Sequence, residues 1–422
     1  MSKTKNRAAN VSAGKPSPKA AAARVEPPGR GMRWFSKLAY GRWLPSYAWQ
    51  RLTRSTPSGK VHLIFALADH FEPAITPQGG RGRALYSEQE LRVEHWCAEY
   101  PRAVDQWRDH EGQRFAHTYF YPAEQYDRNL VDRLAGHCHS GWGELEIHLH
   151  HGMDAPDTAE NTYHELVAFR DALVRNHGSL CFLDGSGKPR YAFVHGNFTL
   201  ANSARGYACG VDNEMEVLAN TGCYADFTLP TAAFHPAQVA KINSLYECSL
   251  QLKTRAPHRK GRDLRVGRSP QVFPINVQGP LMLDFDRRAR NGFARVENAA
   301  LTGPNPPGLR RLQLWKKAAI SVQGRPDWLF IKIHCHSMDP HQRESVMGEF
   351  MQRFLSELTE GAQDRREIIH FVTARQMVNI IWAACDGREG NPGDYRDYRL
   401  KLARDLSDVA WKSADSQTSV RR

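Results

Sequence analysis

Short, nearly continuous apolar runs rich in aromatic and branched residues recur along the chain, at 61–68, 115–121, 145–151, 191–195, 223–227, 329–336 and 368–372. Runs of this length without strict alternation predict strands buried on both faces. Between several of them, apolar residues fall at helical spacing: 124–134, 161–175, 309–320, 343–358 and 374–384. Ser87 followed by Glu90 has the spacing of a capping box and predicts a helix running to about Tyr100. Seven strands, mostly separated by helices, predict an α/β protein built on a parallel sheet, open or closed into a barrel. Residues 56–386 hold this pattern, which leaves 1–55 as a leader and 387–422 as a polar tail expected to fray.

Composition changes the picture mainly at the N-terminus. The formal charge is +12, but twelve Lys and Arg against the single acid Glu26 lie within residues 1–54. The body beyond Arg54 is near neutral, which argues against a nucleic-acid-binding role. Residues 1–32 hold almost no large apolar side chains and are expected to be disordered. Residues 33–54 interleave Trp34, Phe35, Tyr40, Trp43, Tyr47 and Trp49 with basic residues, a texture that suits an anionic membrane surface. The competing expectation is a short helix laid on the body, with Pro45 breaking any long amphipathic face. The basic run at 252–268 reads as a solvated loop. Eight cysteines lie scattered, without a C-x-x-C pair, and are expected as reduced thiols filling cores. With no long apolar run and no secretory signal pattern, the expectation is a cytoplasmic protein, peripheral at the inner membrane face if residues 33–54 dock there.

The candidate chemistry lies where the strands end. The first runs into Asp69-His70-Phe71-Glu72, the third into His148-Leu149-His150-His151 and the fourth into His195-Gly196-Asn197. The fifth carries Asp226, and the sixth ends in His334-Cys335-His336. Parallel α/β folds bind ligands at the carboxyl ends of their strands, so these residues are expected on one rim. Imidazole and carboxylate together form the ligand set for Zn²⁺ or a similar divalent ion with an open position for water. His148 and His150 share a face if the strand continues, whereas His148 and His151 converge if the chain turns helical.

In their order, these segments resemble the polysaccharide deacetylase superfamily (the NodB-homology fold of carbohydrate esterase family four). Leu67-Ala68-Asp69-His70 resembles its T-F-D-D motif, and Glu144-Leu145-Glu146-Ile147-His148, with His150 or His151 behind, resembles E-[IV]-G-x-H followed by a second histidine. Phe193–Asn197, Gly222–Phe227 and the strand ending at His334 fall at the later motif positions. The resemblance spans about residues 60–340 and implies an irregular (β/α) barrel of about seven parallel strands. It also implies a metal-dependent hydrolase removing an N- or O-acetyl group from a sugar or polysaccharide.

On that resemblance, the metal ligands come from Asp69, His70, His148, His150 and His151. Asp69 is the base, His334 protonates the leaving group, and Glu72, His195, Asn197, Asp226 and His336 orient ligands or grip the sugar. The chain departs from the family pattern in three places. His70 replaces the second aspartate, Gly152 stands where the second histidine is usual, and the family's Arg-x-Pro motif is absent. The altered aspartate pair and the missing arginine favour a rival reading, a carbohydrate-binding or assembly protein on the same scaffold; the His-x-His of His334 and His336 gives another, a metal-dependent amidohydrolase or phosphoesterase.

Overall fold

The computed structural model describes residues 30–55, 57–76, 82–184, 186–231, 235–288 and 294–405. Most of the leader expected to be disordered, and the last part of the polar tail, lie outside these residues. Nine helices are described: α1 (Arg30–Thr53), α2 (Tyr86–Val104), α3 (Arg128–His137), α4 (Ala159–His177), α5 (Glu214–Thr221), α6 (Leu309–Lys317), α7 (Arg343–Met347), α8 (Glu349–Glu360) and α9 (Ala374–Cys385). The strands are β1 (Val61–His70), β2 (His117–Pro122), β3 (Gly143–Leu149), β4 (Cys181–Leu183), β5 (Pro189–His195), β6 (Cys223–Asp226), β7 (Leu245–Cys248), β8 (Gly261–Asp263), β9 (Ile275–Val277), β10 (Met282–Arg288), β11 (Ala294–Glu297), β12 (Trp328–Cys335), β13 (Glu367–Phe371) and β14 (Leu400–Leu402).

This is an α/β protein around one large, mostly parallel sheet. Its ladder runs β12-β1-β2-β3-β5-β6-β9, every pair parallel, and continues antiparallel through β7 and β8. β12 pairs along nearly the whole of β1, whose other edge is divided: residues 61–65 pair with β13 and residues 67–70 with β2. Parallel neighbours cannot be joined by a tight turn, so α2, α3, α4 and α5 serve as crossovers between successive strands. All seven apolar runs are strands, and all lie in the parallel part.

The pleat sends alternate residues to two separate cores. Leu63, Phe65, Leu67 and Phe71 join Ile147, Ile333 and the helical residues Trp96, Leu166 and Phe354. Ile64, Ala66 and Ala68 join Val194, Phe330 and the α9 residues Met377, Ile380 and Ile381. A sheet covered on both sides has no polar face, which is why its strands read as unbroken apolar runs.

Several elements differ from the sequence expectation. α2 starts at Tyr86 with Leu85 as its N-cap, so Ser87 lies inside the helix and the expected box does not form. A true capping box opens α9, where Thr373 and Gln376 serve each other's backbone N–H groups. The 343–358 pattern is divided into α7 and α8 at the extended Gly348. α1 continues through Pro45 and packs on the body, burying Trp43 and Tyr47, while Gln50 and Arg51 donate to the carbonyls of Ile242 and Lys317. Trp49 and Leu52 remain 67% and 84% exposed.

Residues 387–405, read as part of a fraying tail, are folded. β14 pairs with β4, and Asn379 of α9 donates to the carbonyls of Arg396 and Leu400. The buried Asn379 amide satisfies its backbone, and Leu400, Tyr395 and Tyr398 pack against the second core. All eight cysteines are free thiols. No helix among the described residues is long and apolar enough to cross a membrane.

One buried ion pair supports the end of β12. Arg311 bonds Glu297 through Nε and Nη2, at 2.8 and 2.6 Å, and donates to the carbonyls of Ala300 and Asn305. The segment it anchors pairs with His334, whose carbonyl accepts from Leu301 at 2.8 Å. Removing one partner leaves the other charge buried and unpaired. Arg311→Met should therefore cost about 3–5 kcal/mol in denaturant unfolding, and the double variant Arg311→Met/Glu297→Leu should recover much of it. A loss by the single variant below about 1 kcal/mol, the size of an exposed pair, would contradict this account.

Candidate functional site

The alternation that builds two cores also divides the polar residues at the end of β1. Asp69 and Phe71 point to the helix-covered core containing Trp96, while His70 and Glu72 point to the opposite side. Asp69 is fully buried, its Oδ2 3.0 Å from His117 Nδ1 and its Oδ1 accepting the Ser337 N–H at 3.0 Å. The expectation that Asp69 acts beside His148 and His334 meets this geometry directly: its carboxylate is spent on the other face of the strand. What it holds in place is the turn after β12, the turn that carries His336.

On the other face a histidine cluster forms. The His70 ring centroid lies 5.0 Å from that of His148, 4.6 Å from His336 and 6.0 Å from His334. The register explains the convergence. Ala68 pairs with His334 and Pro122 with His148, so the strand ends stand level and their even-numbered side chains share one face. β3 remains extended to Leu149, and His148 and His150 therefore stay together, their ring centroids 4.5 Å apart. His151 turns elsewhere.

Glu72 is the centre of this group. Its Oε1 lies 3.3 Å from His148 Nε2, 3.8 Å from His336 Nε2 and 3.9 Å from His150 Nε2. Ligand atoms of His70, Glu72 and His148 all lie within 4.8 Å of one another, the spacing of a metal-binding group. Each imidazole's polarity is set by its far nitrogen. His148 Nδ1 donates to the Val194 carbonyl at 2.7 Å, and His150 Nδ1 faces Glu124 Oε1 at 2.9 Å. In their neutral forms both rings therefore aim a bare Nε2 lone pair at the Glu72 carboxylate. His148 Nε2 is buried and makes no hydrogen bond. Acceptors facing acceptors in a buried site call for a cation between them.

The electrostatics agree. Burial, reinforced by the neighbouring histidines and Lys332, holds His70 well below the usual imidazole range. Burial alone would raise Glu72, but the adjoining His148 ring and the fields of His150 and His336 bring it down to about 2. Burial and Lys332 keep His334 neutral, and its Nδ1 is buried without a hydrogen-bond partner. On the same face lie Lys332, lowered by burial to about 7, and Asp226, raised by burial to about 7. The cluster opens to solvent at His150 and His336, whose side chains are 22% and 28% exposed.

The remaining candidates lie elsewhere. His151 and His195 join Cys209 and Glu214 in a second buried group. Asp226 is buried and accepts from the Thr228 hydroxyl at 2.6 Å, so it does not line an open surface. Asn197 is partly exposed in a left-handed conformation, its amide 3.0 Å from the Met153 sulfur. Glu124, Cys209 and Glu214 were not singled out in the sequence. They stand in separate segments without a spacing motif, and only the preference of a metal-bound imidazole for a carboxylate partner could have directed attention to Glu124.

No family model matches this chain, and none of the curated proteins is a match to it.

Zinc affinity, measured by competition with a chromophoric chelator, tests the division of β1. Glu124→Gln should weaken binding about 10- to 100-fold by freeing the His150 ring, and His148→Ala should weaken it at least as much. Asp69→Asn should leave the affinity unchanged while costing about 1–3 kcal/mol of stability. Loss of zinc by Asp69→Asn with an unaltered fold would return that residue to the ligand set.

Proposed function

We propose that the rim cluster is the metal centre of a hydrolase that removes an acetyl group from a sugar or polysaccharide. The observation that carries the metal reading is the set of inward Nε2 atoms facing Glu72, each ring pinned from behind by Val194 or Glu124. His70, Glu72 and His148 would hold the ion, with His150 and His336 at its open side. A divalent ion such as Zn²⁺, when bound, supplies a water of lowered pKa and polarises an acyl oxygen.

The chain's own residues supply the rest. His334 presents a neutral ring with a free, buried Nδ1 and can accept a proton there and return it to a leaving amine or alcohol. Asp69 keeps a positioning role through the Ser337 N–H, and the absence of the family's arginine follows from that changed role. The acyl-sugar substrate class rests on the ordered resemblance to polysaccharide deacetylases. We read the sheet, on the same grounds, as that superfamily's irregular (β/α) barrel. Two contacts across the interior support this: Lys332 Nζ donates to the Phe227 carbonyl at 2.6 Å, and a Cβ at Gly279 would lie 2.4 Å from the Lys332 carbonyl.

Acetate release from N- and O-acetylated oligosaccharides is the direct assay. Release should cease on chelation, return with added Zn²⁺ and fall about 10²- to 10⁴-fold in His334→Ala, with zinc affinity unchanged. Protein that binds zinc at the rim yet releases no acetate from either ester or amide would sink the hydrolase reading and leave the binding-protein alternative.

A further inference from the structure

The second buried histidine group has a different construction from the rim. His151 follows β3, His195 ends β5, Cys209 lies in the loop before α5, and Glu214 opens α5. His151 Nε2 is 3.0 Å from both His195 Nε2 and Glu214 Oε1; His195 Nε2 is 3.4 Å from that same oxygen. Cys209 Sγ is 3.5 Å from Glu214 Oε2, and all four ligand atoms lie within 4.8 Å of one another. All four residues are buried.

The far sides of both rings are engaged. His151 Nδ1 faces Asp157 Oδ2 at 2.8 Å, itself held by the Thr162 hydroxyl, and His195 Nδ1 faces the Gly196 carbonyl. Each ring thus directs Nε2 at the same point, with a carboxylate or carbonyl behind it, the arrangement that accompanies metal-bound imidazoles. Around a tetrahedral zinc with Zn–N bonds of about 2.0 Å, ligand nitrogens and oxygens stand about 3.3 Å apart, and a sulfur slightly farther. The separations among His151 Nε2, His195 Nε2 and Glu214 Oε1 follow this pattern, with Cys209 Sγ beside the same carboxylate. A lone proton on His151 Nε2 would have to serve two acceptors, whereas one ion serves all four ligand atoms.

We infer that His151, His195, Cys209 and Glu214 form a closed, four-ligand zinc site, structural in character and separate from the rim cluster. Two histidines, a thiolate and a carboxylate are a zinc set, and four protein ligands leave no position for substrate or water. The backbone is shaped to bring them together. Gly152 is left-handed, and a Cβ there would lie 1.9 Å from the Cys209 carbonyl; Gly210, also left-handed, meets Pro156 in the same way. The Cys209 carbonyl accepts from the Asp157 N–H at 2.8 Å, so the two loops interlock at the ligands.

The site also ties down the wall of the rim. The intervening loop has left-handed non-glycine residues at Asn197, Phe198, Ala201, Asn202, Arg205 and Ala208, a conformation that needs support from outside the loop. Glu214 Oε2 accepts from the Ala201 N–H at 2.5 Å, and Phe198 stands 6.4 Å from His70, centroid to centroid. On binding, the Cys209 thiol and the His151 Nε2 each give a proton to solvent, and the ion cross-links four segments beside the cleft.

Metal analysis of the purified full-length chain tests this without reference to activity. After dialysis against a chelator, about one zinc per chain should remain, and His148→Ala and Glu72→Gln should retain it. Cys209→Ser should lose it. Cobalt-substituted protein should show the intense d–d absorption of a tetrahedral site and a thiolate charge-transfer band. That band should persist in Cys335→Ser, which removes the cysteine grouped with Asp69 and His117, and vanish in Cys209→Ser. If Cys209→Ser does not fold, the cobalt spectrum of the unaltered chain and of Cys335→Ser still decides the matter. Complete removal of zinc by the chelator with the fold intact, no thiolate band in the native chain, or a band that Cys335→Ser abolishes would each overturn the proposal and leave a shared proton at that position. None of these outcomes bears on the rim, whose own test is zinc affinity in His148→Ala.

Discussion

The parallel register around β1 is the constraint on which the rest of the structure depends. Because β12 pairs with β1 from His62 to Asp69, and β2 and β3 follow in parallel, the carboxyl ends of four strands stand side by side. The pleat then assigns each end residue to one of two faces. Its two-residue period puts His70, Glu72, His148, His150 and His334 together and turns Asp69 away, although Asp69 is adjacent to His70 in sequence. A shift of one residue in any of these pairings would exchange histidines for apolar core residues. The large apolar cores on both faces resist that shift, and in doing so they hold the chemistry in register.

Burial determines how the clusters behave. Imidazoles removed from water favour their neutral forms, and a neutral ring must be a donor at one nitrogen and an acceptor at the other. In both groups a carbonyl or carboxylate stands behind Nδ1, and Nε2 is turned inward. The surroundings therefore create two places where imidazole Nε2 atoms and a carboxylate converge on one point. They differ in access. The rim group opens through His150 and His336, as a site for chemistry on an external molecule requires. The group around Glu214 is enclosed, as a cross-link requires.

The two groups are also mechanically connected. His148, His150 and His151 lie on one short stretch, and a Cβ at Gly196 would lie 2.3 Å from the His150 ring. The loop that follows carries Phe198 to the edge of the rim before returning to Cys209. A segment with so many left-handed residues has little intrinsic preference for its observed path. Its conformation is imposed by what it is attached to at both ends, and the enclosed group is the attachment nearest the rim.

The sequence by itself determined the α/β class, the seven principal strands and the fact that histidines and carboxylates cluster where those strands end. Continuous apolar runs are a local signal, and a parallel sheet covered on both faces translates that signal directly into structure. It also placed His70, Glu72, His148, His334 and His336 at strand ends that register then aligned. Only the tertiary structure decided the rest. Asp69 could not be separated from His70 without knowing which core each face meets, and the choice between His150 and His151 needed the point where β3 stops being extended. Glu124, Cys209 and Glu214 come from three separate segments, and nothing in their spacing relates them to the histidines they approach. Residues 387–405 show no apolar periodicity in sequence and are held by the Asn379 amide, by pairing with β4 and by the burial of Leu400, interactions that exist only once the chain has folded. Such contacts depend on distances between segments, and a linear pattern carries no record of those distances.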